Sequence, residues 1–317
     1  MADVGRPVGT TDGQVSDRDR GQLILVGGLA LAVTFVALAL VLNTAIYTEN
    51  LATRGSDLAG GAAAIEFTDA AVDGIGGAIE PINHNHNDSH ETLASNLTTA
   101  VDDWSTIAGQ HAAFSGRSAN VSVVAITNGT RIEQTNRSRE FTNASKDATD
   151  WTLVEDVEHT REFRMNVSDD ELVGPSSDPF NVTVTDGTTT WWFNVTDDAV
   201  FIDNGTITKC GTTGSSAWIN VTAGQVNGTE CSAMRFAEGV STPYRIEFKN
   251  GNNAEGTYTL IVDNSSLATM TNNDFDDSGG SPFVEPAIYS TTIRVTVVTD
   301  QLRYASNRTV APGEPDE

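Results

Sequence analysis

The sequence predicts an α+β protein with an N-terminal transmembrane helix, a helical neck and a mostly antiparallel β head. Three observations carry this prediction. Residues 23–42 contain no charged side chain, the following segment has apolar residues at helical spacing, and the chain from residue 116 alternates between apolar and polar residues. The predicted parts are a leader (1–21), a transmembrane and assembly helix (22–43), the neck (44–115), the head (116–310) and a polar tail (311–317).

The apolar segment from Leu23 to Leu42 is long enough to cross a membrane, since about 20 apolar residues span a hydrocarbon core roughly 30 Å thick. A secretory signal has a shorter apolar region of about 7–15 residues, followed by a small-residue cleavage site. Arg18 and Arg20 precede the segment and favour a cytoplasmic N-terminus. The expected localisation is therefore the cell membrane, with a single pass and an extracellular C-terminal domain.

The neck is predicted to contain two helices separated by the sequence PINHNHNDSH. Pro81 is expected to end the first helix, and Ser89 with Thr92 provides a start for the second. Glycines ahead of Pro81 weaken the prediction of the first helix, because glycine interrupts a helical pattern.

The head is predicted to consist of antiparallel hairpins. Asn128-Gly129 lies between ANVSVVAIT and TRIEQT, Asp186-Gly187 lies between PFNVTVT and TTTWWFNV, and NGNNAEG lies between YRIEFK and TYTLIVD. A last strand pair is predicted within IYSTTIRVTVVTDQLRYASNRTV.

The composition is strongly acidic. The formal net charge is -25, and Lys146, Lys209 and Lys249 are the only lysines. This balance is similar to that of proteins from halophilic archaea, in which molar salt screens the repulsion between carboxylates. It argues against nucleic acid as a partner, because binding to phosphates depends on lysine and arginine.

Cys210 and Cys231 are the only cysteines and are predicted to form a disulfide. A bond that closes a loop of this length contributes roughly 3 kcal/mol through the entropy of the unfolded chain. Metal binding or thiol catalysis is the weaker alternative, because the sequence has no CxxC motif and no neighbouring histidine.

Glycosylation sequons, Asn-x-Ser/Thr, are frequent after the apolar segment and do not occur before it. They predict a heavily glycosylated external surface. Several have valine in the middle, so that on a strand asparagine would face solvent and valine the core. The acceptors are Asn87, Asn96, Asn120, Asn128, Asn136, Asn143, Asn166, Asn181, Asn194, Asn204, Asn220, Asn227, Asn264 and Asn307.

The N-terminal stretch DRDRGQLILVGGLALAVTFVALALVLN resembles the start of archaeal type IV pilin-like proteins and archaellins. In that family a basic residue and glycine precede the scissile bond and glutamine often follows it, as Arg20, Gly21 and Gln22 do here. The resemblance implies cleavage between Gly21 and Gln22 by a prepilin-type peptidase. It also implies partners in the membrane and among other pilin-like subunits, through the apolar helix. The alternative is a plain membrane anchor.

Two groups of residues have the spacing of metal ligands. His84, His86 and His90 follow an H-x-H-x3-H pattern, for which the alternative is a solvated loop between helices. The sequence DFDDSGGSPFVE resembles a calcium loop of the EF-hand type, with an acidic surface loop as the alternative. Its candidate positions are Asp274, Asp276, Ser278, Gly279 and Glu285.

No nucleophile, zinc-protease, Walker or dinucleotide motif is evident, and His111 and His159 stand alone in the sequence. We therefore expect a non-catalytic pilin-like cell-surface glycoprotein, a minor or accessory subunit of a pilus-like assembly, without a cofactor unless calcium binds. The alternatives are an anchored extracellular binding glycoprotein that is not assembled, and a secreted hydrolase without a recognisable motif. Exposure of the tryptophans would favour a binding head, and their burial a structural one. They are Trp104, Trp151, Trp191, Trp192 and Trp218.

The charge predicts that the head depends on salt. Transfer of the protein from molar salt to low ionic strength should expand or unfold it, because the Debye length rises from about 3 Å at 1 M to about 30 Å at 0.01 M. Circular dichroism and thermal melting at a series of salt concentrations measure this. A melting temperature independent of salt would contradict the prediction.

Overall fold

The computed structural model describes residues 31–32, 35–36, 38–39, 61–85, 89–168, 170–203, 205–212, 214, 216–266, 274–276 and 280–314. The chain divides into two compact units, residues 1–62 and residues 63–317. Residues 61–85 are helical (α1), and α2 spans His90–Phe114. The strands are β1 (Ser118–Gln134), β2 (Trp151–Val157), β3 (Thr160–Ser168), β4 (Phe180–Thr185), β5 (Thr190–Val195), β6 (Val200–Asp203), β7 (Ile207–Cys210), β8 (Ser216–Asn220), β9 (Gln225–Val226), β10 (Thr229–Glu230), β11 (Tyr244–Lys249), β12 (Gly256–Val262), β13 (Phe283–Val298) and β14 (Arg303–Val310).

The strands form two antiparallel sheets. The large sheet has the order β10-β9-β8-β3-β12-β1-β13-β14, and the small sheet has the order β2-β11-β4-β5-β6-β7. The inward side chains of both sheets belong to one buried apolar cluster. Phe248 of the small sheet meets Tyr258 of the large sheet edge to face at 5.1 Å between ring centroids. The two sheets are therefore the layers of a β-sandwich.

A second apolar core lies between the helices and one end of the large sheet. Leu93, Leu97 and Val101 of α2 are buried with Val121 of β1 and Val295 of β13. This end of the sheet consists of β1, β13 and β14, beyond the part of β1 that pairs with β12. The helices cover the apolar face that these strands would otherwise expose.

Side chains from the helices bind backbone groups at the uncovered edges of this sheet extension. Asn83 of α1 donates from Nδ2 to the carbonyl of Ile288 at 3.0 Å and accepts the Ile288 N–H at 2.8 Å. Ser105 of α2 accepts the N–H of Val121 at 2.8 Å. Because pairing with β14 ends at Thr291, the amide of Asn83 supplies Ile288 with the partners that a further strand residue would provide.

Two glycines permit close approaches that a larger residue would block. A Cβ on Gly74 of α1 would lie 2.4 Å from Nε1 of Trp104, so the gap at Gly74 accommodates the indole of α2. A Cβ on Gly129 of β1 would lie 2.3 Å from the carbonyl oxygen of Val262. Glycine within α1 thus serves the packing between the helices, which explains why the helix tolerates it.

The disulfide joins Cys210 and Cys231 with 5.8 Å between their Cα atoms. Cys210 ends β7, one of the two outer strands of the small sheet, and Cys231 directly follows β10, one of the two outer strands of the large sheet. The predicted bond is present, and it fastens the two sheets together at one side of the sandwich.

The prediction of an N-terminal transmembrane helix is wrong. No helix within the described residues is both long enough and apolar enough to span a membrane, for which about 20 continuous residues are required. The single-pass cell-membrane localisation depended on that helix and is corrected with it. Part of segment 22–43 is described and is helical and exposed, and the remainder lies outside the described residues. The described positions are Leu31, Ala32, Phe35, Val36, Leu38 and Ala39.

The helical neck and two of the predicted hairpins also require correction. The helices pack on the large sheet, and α1 continues past Pro81 through residue 85, the last described residue of this segment, where Asn83 forms its hydrogen bonds to Ile288. Asn128-Gly129 lies inside the single strand β1, where Gly129 meets the end of β12. The turn at Gly251–Asn253 carries the chain from β11 in one sheet to β12 in the other.

Other predictions of local structure are confirmed. Ser89 caps α2 by accepting the N–H of Thr92 at 3.2 Å. The hairpins β4–β5 and β13–β14 form where the sequence predicts them. The valines at the centres of five sequons are buried, as the period of two requires. They are Val121, Val167, Val182, Val195 and Val221.

Replacement of Asn83 by alanine should destabilise the protein. The change leaves the buried N–H and C=O of Ile288 without their partners, at a cost of about 1–3 kcal/mol for an unsatisfied group. Chemical denaturation in high salt measures the free energy of unfolding. The matched control is Asn85→Ala, since Asn85 is exposed in the same turn and should change stability by less than about 0.5 kcal/mol. Equal effects of the two variants would contradict the role of Asn83.

Candidate functional site

The sequon asparagines are spread over both sheets and over α2. Asn87 and Asn204 lie outside the described residues, as do Gly21 and Gln22 of the predicted cleavage site. Of the other twelve asparagines, Asn143 alone is buried, and the remaining eleven are exposed or half-buried. Glycans on these positions would coat the helical side, the outer faces of the two sheets and several turns.

Asn143 has a structural task that is incompatible with a glycan. It is 4% exposed, and its Nδ2 donates to Oδ1 of Asp147 at 2.7 Å and to Oδ1 of Asp274 at 3.2 Å. Its Oδ1 accepts the N–H groups of Asp147 and Ala148, both at 3.1 Å. Hydrogen bonds from Ser145 and Asn143 lower the pKa of the Asp147 carboxyl. A sugar on Nδ2 would remove a donated hydrogen bond and would have to enter the protein interior.

The predicted histidine cluster is divided between separate partners. Nδ1 of His84 contacts the guanidinium of Arg131, and Nε2 of His90 bonds to the carbonyl of Gly129 at 2.9 Å. His86 lies outside the described residues. Both described histidines therefore connect the helices to β1.

The predicted calcium positions also have protein partners. Asp274 binds Asn143, and Oδ1 of Asp276 accepts the N–H of Gly280 at 3.1 Å. Glu285 pairs with Arg131 on β1, on the face of the large sheet that carries the helix ends. Ser278 and Gly279 lie outside the described residues. The carboxylates that the sequence places on one calcium loop are engaged in stabilising the loop and the sheet.

Paired charges lie on the outer face of the large sheet, next to the ends of the helices, and Arg131 and Glu162 among them are buried. Arg131 pairs with Glu133 at 3.2 Å as well as with Glu285, and Arg164 pairs with Glu162 at 3.3 Å. Burial raises the pKa of the Glu162 carboxyl, and the positive charge of Arg164 opposes this shift. The packing of α1 removes water from some of these charges, and the ion pairs offset part of the cost of that desolvation.

The fold assembles one cluster that the sequence did not predict. Ligand atoms of Glu158, His159 and Asp263 lie within 4.8 Å of one another, and Nδ1 of His159 is 3.7 Å from Oε1 of Glu314. These residues come from the β2–β3 turn, the end of β12 and the C-terminal segment. Because these segments are far apart along the chain, their residues form no spacing motif, and His159 has no candidate partner in the sequence. Most of the cluster is exposed, and Asp263 also accepts the N–H of Glu158 at 3.1 Å.

An apolar groove of about 430 Å³ lies between α1, α2 and the adjoining ends of β1 and β13. Phe67 and Trp104 form one wall, with 5.6 Å between their ring centroids. Ile107 lines the groove and is more than half exposed. The groove is therefore mostly apolar, and its charged or titratable lining residues are Glu66, His111 and Arg117.

The tryptophans divide between the two expectations. Trp151 and Trp191 are buried in the sandwich core, whereas Trp104 and Trp192 are half-buried and Trp218 is 39% exposed. Trp104 packs between the helices, so Trp192 and Trp218 are the tryptophans on the outer faces of the sheets. Burial alone thus assigns the head to neither a purely structural nor a purely binding class.

The profile of a family of unknown function, DUF7261, matches residues 17–162. The matched part comprises the apolar segment, both helices, β1, β2 and the beginning of β3. No curated protein matches the chain, and no solved structure matches it. The match therefore associates the N-terminal part of the chain with a family whose function is open.

Proposed function

We propose that the protein is a non-catalytic, glycan-coated structural subunit of the pilin-like class, an accessory component of a surface assembly. The observation that carries the proposal is the distribution of the sequons. Eleven of the twelve described acceptors are accessible, and they are spread over the sheets, α2 and the turns. A coat of this extent suits a module whose outer surface meets the environment, because large hydrophilic sugars keep such a surface soluble.

The construction of the head supports a mechanical role. The disulfide fastens the outer strands of the two sheets, and the helices close the sheet extension through Asn83 and Ser105. We expect links of this kind in a domain that has to keep its shape under load. The disulfide also favours an oxidising compartment.

The N-terminal residues support assembly with other subunits. Arg20, Gly21 and Gln22 carry the resemblance to prepilin-type substrates. Leu31, Phe35 and Leu38 are more than half exposed and have the spacing of one helix face. Such a face offers apolar contact area to equivalent helices of neighbouring subunits, so a prepilin-type peptidase and other pilin-like subunits are the proposed partners.

Processing at the N-terminus tests the proposal. Protein purified from its native cells should begin at Gln22 or its pyroglutamate form, because the peptidase cleaves after Gly21. N-terminal peptide sequencing and intact mass measure this directly. The control variant Gly21→Val should keep residues 1–21, because the added side chain obstructs the peptidase. A native chain that still begins at Met1 or Ala2, or normal processing of Gly21→Val, would contradict the pilin-like assignment.

A further inference from the structure

The sequence W-x-N-V-T occurs twice, on strands in different sheets. Trp192, Asn194 and Thr196 form the first copy, on β5 and the residue after it. Trp218 and Asn220 begin the second copy, on β8. Because residues i and i+2 of a strand point to the same side, each asparagine shares the outer face of its sheet with a tryptophan.

These two strands carry the tryptophans that remain accessible on the sheets. Trp218 is 39% exposed and Trp192 is half-buried, whereas the neighbouring Trp191 points inward and is 1% exposed. An indole on the outer face of a strand leaves a large apolar surface in contact with water. A ligand with its own apolar face would reduce that cost, and a pyranose ring has such a face in its axial C–H groups.

The surroundings of Asn194 form a shallow hollow with aromatic and polar walls. A hollow of about 340 Å³ is lined by Trp192, Asn194, Lys249, Asp178 and Thr190, which combine an aromatic surface with hydroxyl, amine and carboxylate groups. On the other side of Asn194, Phe201 of β6 lies directly across the strand pair and is half-buried. Asn194 therefore has an aromatic neighbour along its own strand, Trp192, and another on β6, Phe201.

In both asparagines the side-chain oxygen Oδ1 accepts a hydrogen bond, and this bond orients the amide group. Oδ1 of Asn194 accepts a hydrogen bond from Nδ2 of Asn181 at 2.8 Å. Oδ1 of Asn220 accepts the N–H of Ala223 at 3.1 Å. A sugar on Nδ2 leaves either hydrogen bond in place, whereas at Asn143 a sugar would break a bond that Nδ2 donates.

We propose that Asn194 and Asn220 are glycosylated and that the first sugar of each glycan packs against the tryptophan two residues earlier. The proposal rests on the proposed function in one respect, namely that the protein is a glycoprotein. The two accessible indoles are then not a binding surface for an external ligand. They are contact surfaces for the glycans of the same chain, and each indole fixes the direction in which its glycan leaves the sheet.

The donor is a polyprenyl-linked glycosyl phosphate. The Nδ2–C1 bond forms while the bond from C1 to the phosphate oxygen breaks, the phosphate leaves with the electron pair, and Nδ2 loses one proton to a base of the transferase. Thr196 is fully buried and its Oγ1 donates to the carbonyl of Ala199 at 2.9 Å. Because a transferase recognises the sequon hydroxyl as well as the asparagine, transfer to Asn194 precedes formation of the β5–β6 turn.

The first test is site occupancy in the folded wild-type protein from native cells. Peptide mapping by mass spectrometry should find sugar on Asn194 and Asn220 and none on Asn143. Unmodified Asn194 and Asn220 in protein that carries glycans elsewhere would overturn the proposal and leave the proposed function intact. Processing at Gln22 is independent of this result, so the two proposals fail separately.

The second test is a double-mutant cycle for thermal stability, using Trp192→Ala, Asn194→Gln and the double variant, all expressed in the native host. Loss of the contact should lower the melting temperature by roughly 2–4 °C for Trp192→Ala, and by clearly less when Asn194→Gln has already removed the glycan. Trp104→Ala is the matched control, because its effect should be the same with and without the glycan. An equal effect of Trp192→Ala in both backgrounds would overturn the contact between sugar and indole.

Discussion

The long antiparallel pairing of β1 with β13 is the interaction on which the rest of the structure depends. It extends from Ser118 opposite Val298 to Glu133 opposite Phe283, with two irregularities between them. One end of this pair belongs to the sandwich, where Ile132 is buried among the inward side chains of both sheets. The other end projects past β12 and supplies the surface on which the helices pack. The two cores therefore share a single pair of strands, and neither can be removed without exposing the other.

A strand pair that projects from its sheet has unsatisfied backbone groups at its edges, and buried groups of this kind are costly. The helices solve this problem with side chains of suitable length: Ser105 binds the N–H of Val121, and Asn83 binds both polar groups of Ile288. The charged residues have the same origin, since Arg131 and Glu285 lie where the ends of the helices cover the sheet. Three of the residues that resemble metal ligands in the sequence, His84, His90 and Glu285, are used at this contact between helix and sheet.

The sequence predicts those features that depend on neighbours along the chain. The alternation of asparagine and valine in the sequons correctly places Val182 and Val195 in the core, and Ser89 caps α2 because a cap is a local interaction. The sequence does not predict features that depend on residues far away along the chain. Asn128-Gly129 is typical of a turn, yet Gly129 remains in a strand because β12 approaches it. The W-x-N-V-T motif was visible in the sequence, but its meaning required knowledge of which tryptophans stay outside. The cluster around His159 had no signal, since its members are joined only by the fold.

Native-state hydrogen exchange at the two uncovered edges tests this account most directly. If the helices complete the sheet extension, the amides of Val121 and Ile288 exchange as slowly as amides bonded between β1 and β13. Ser105→Ala then removes the protection of Val121 while Ile288 keeps its own, because Asn83 is unchanged. Fast exchange of both amides in the wild-type protein, at the rate of the solvent-facing edge of β14, would contradict the claim that helix side chains close these edges.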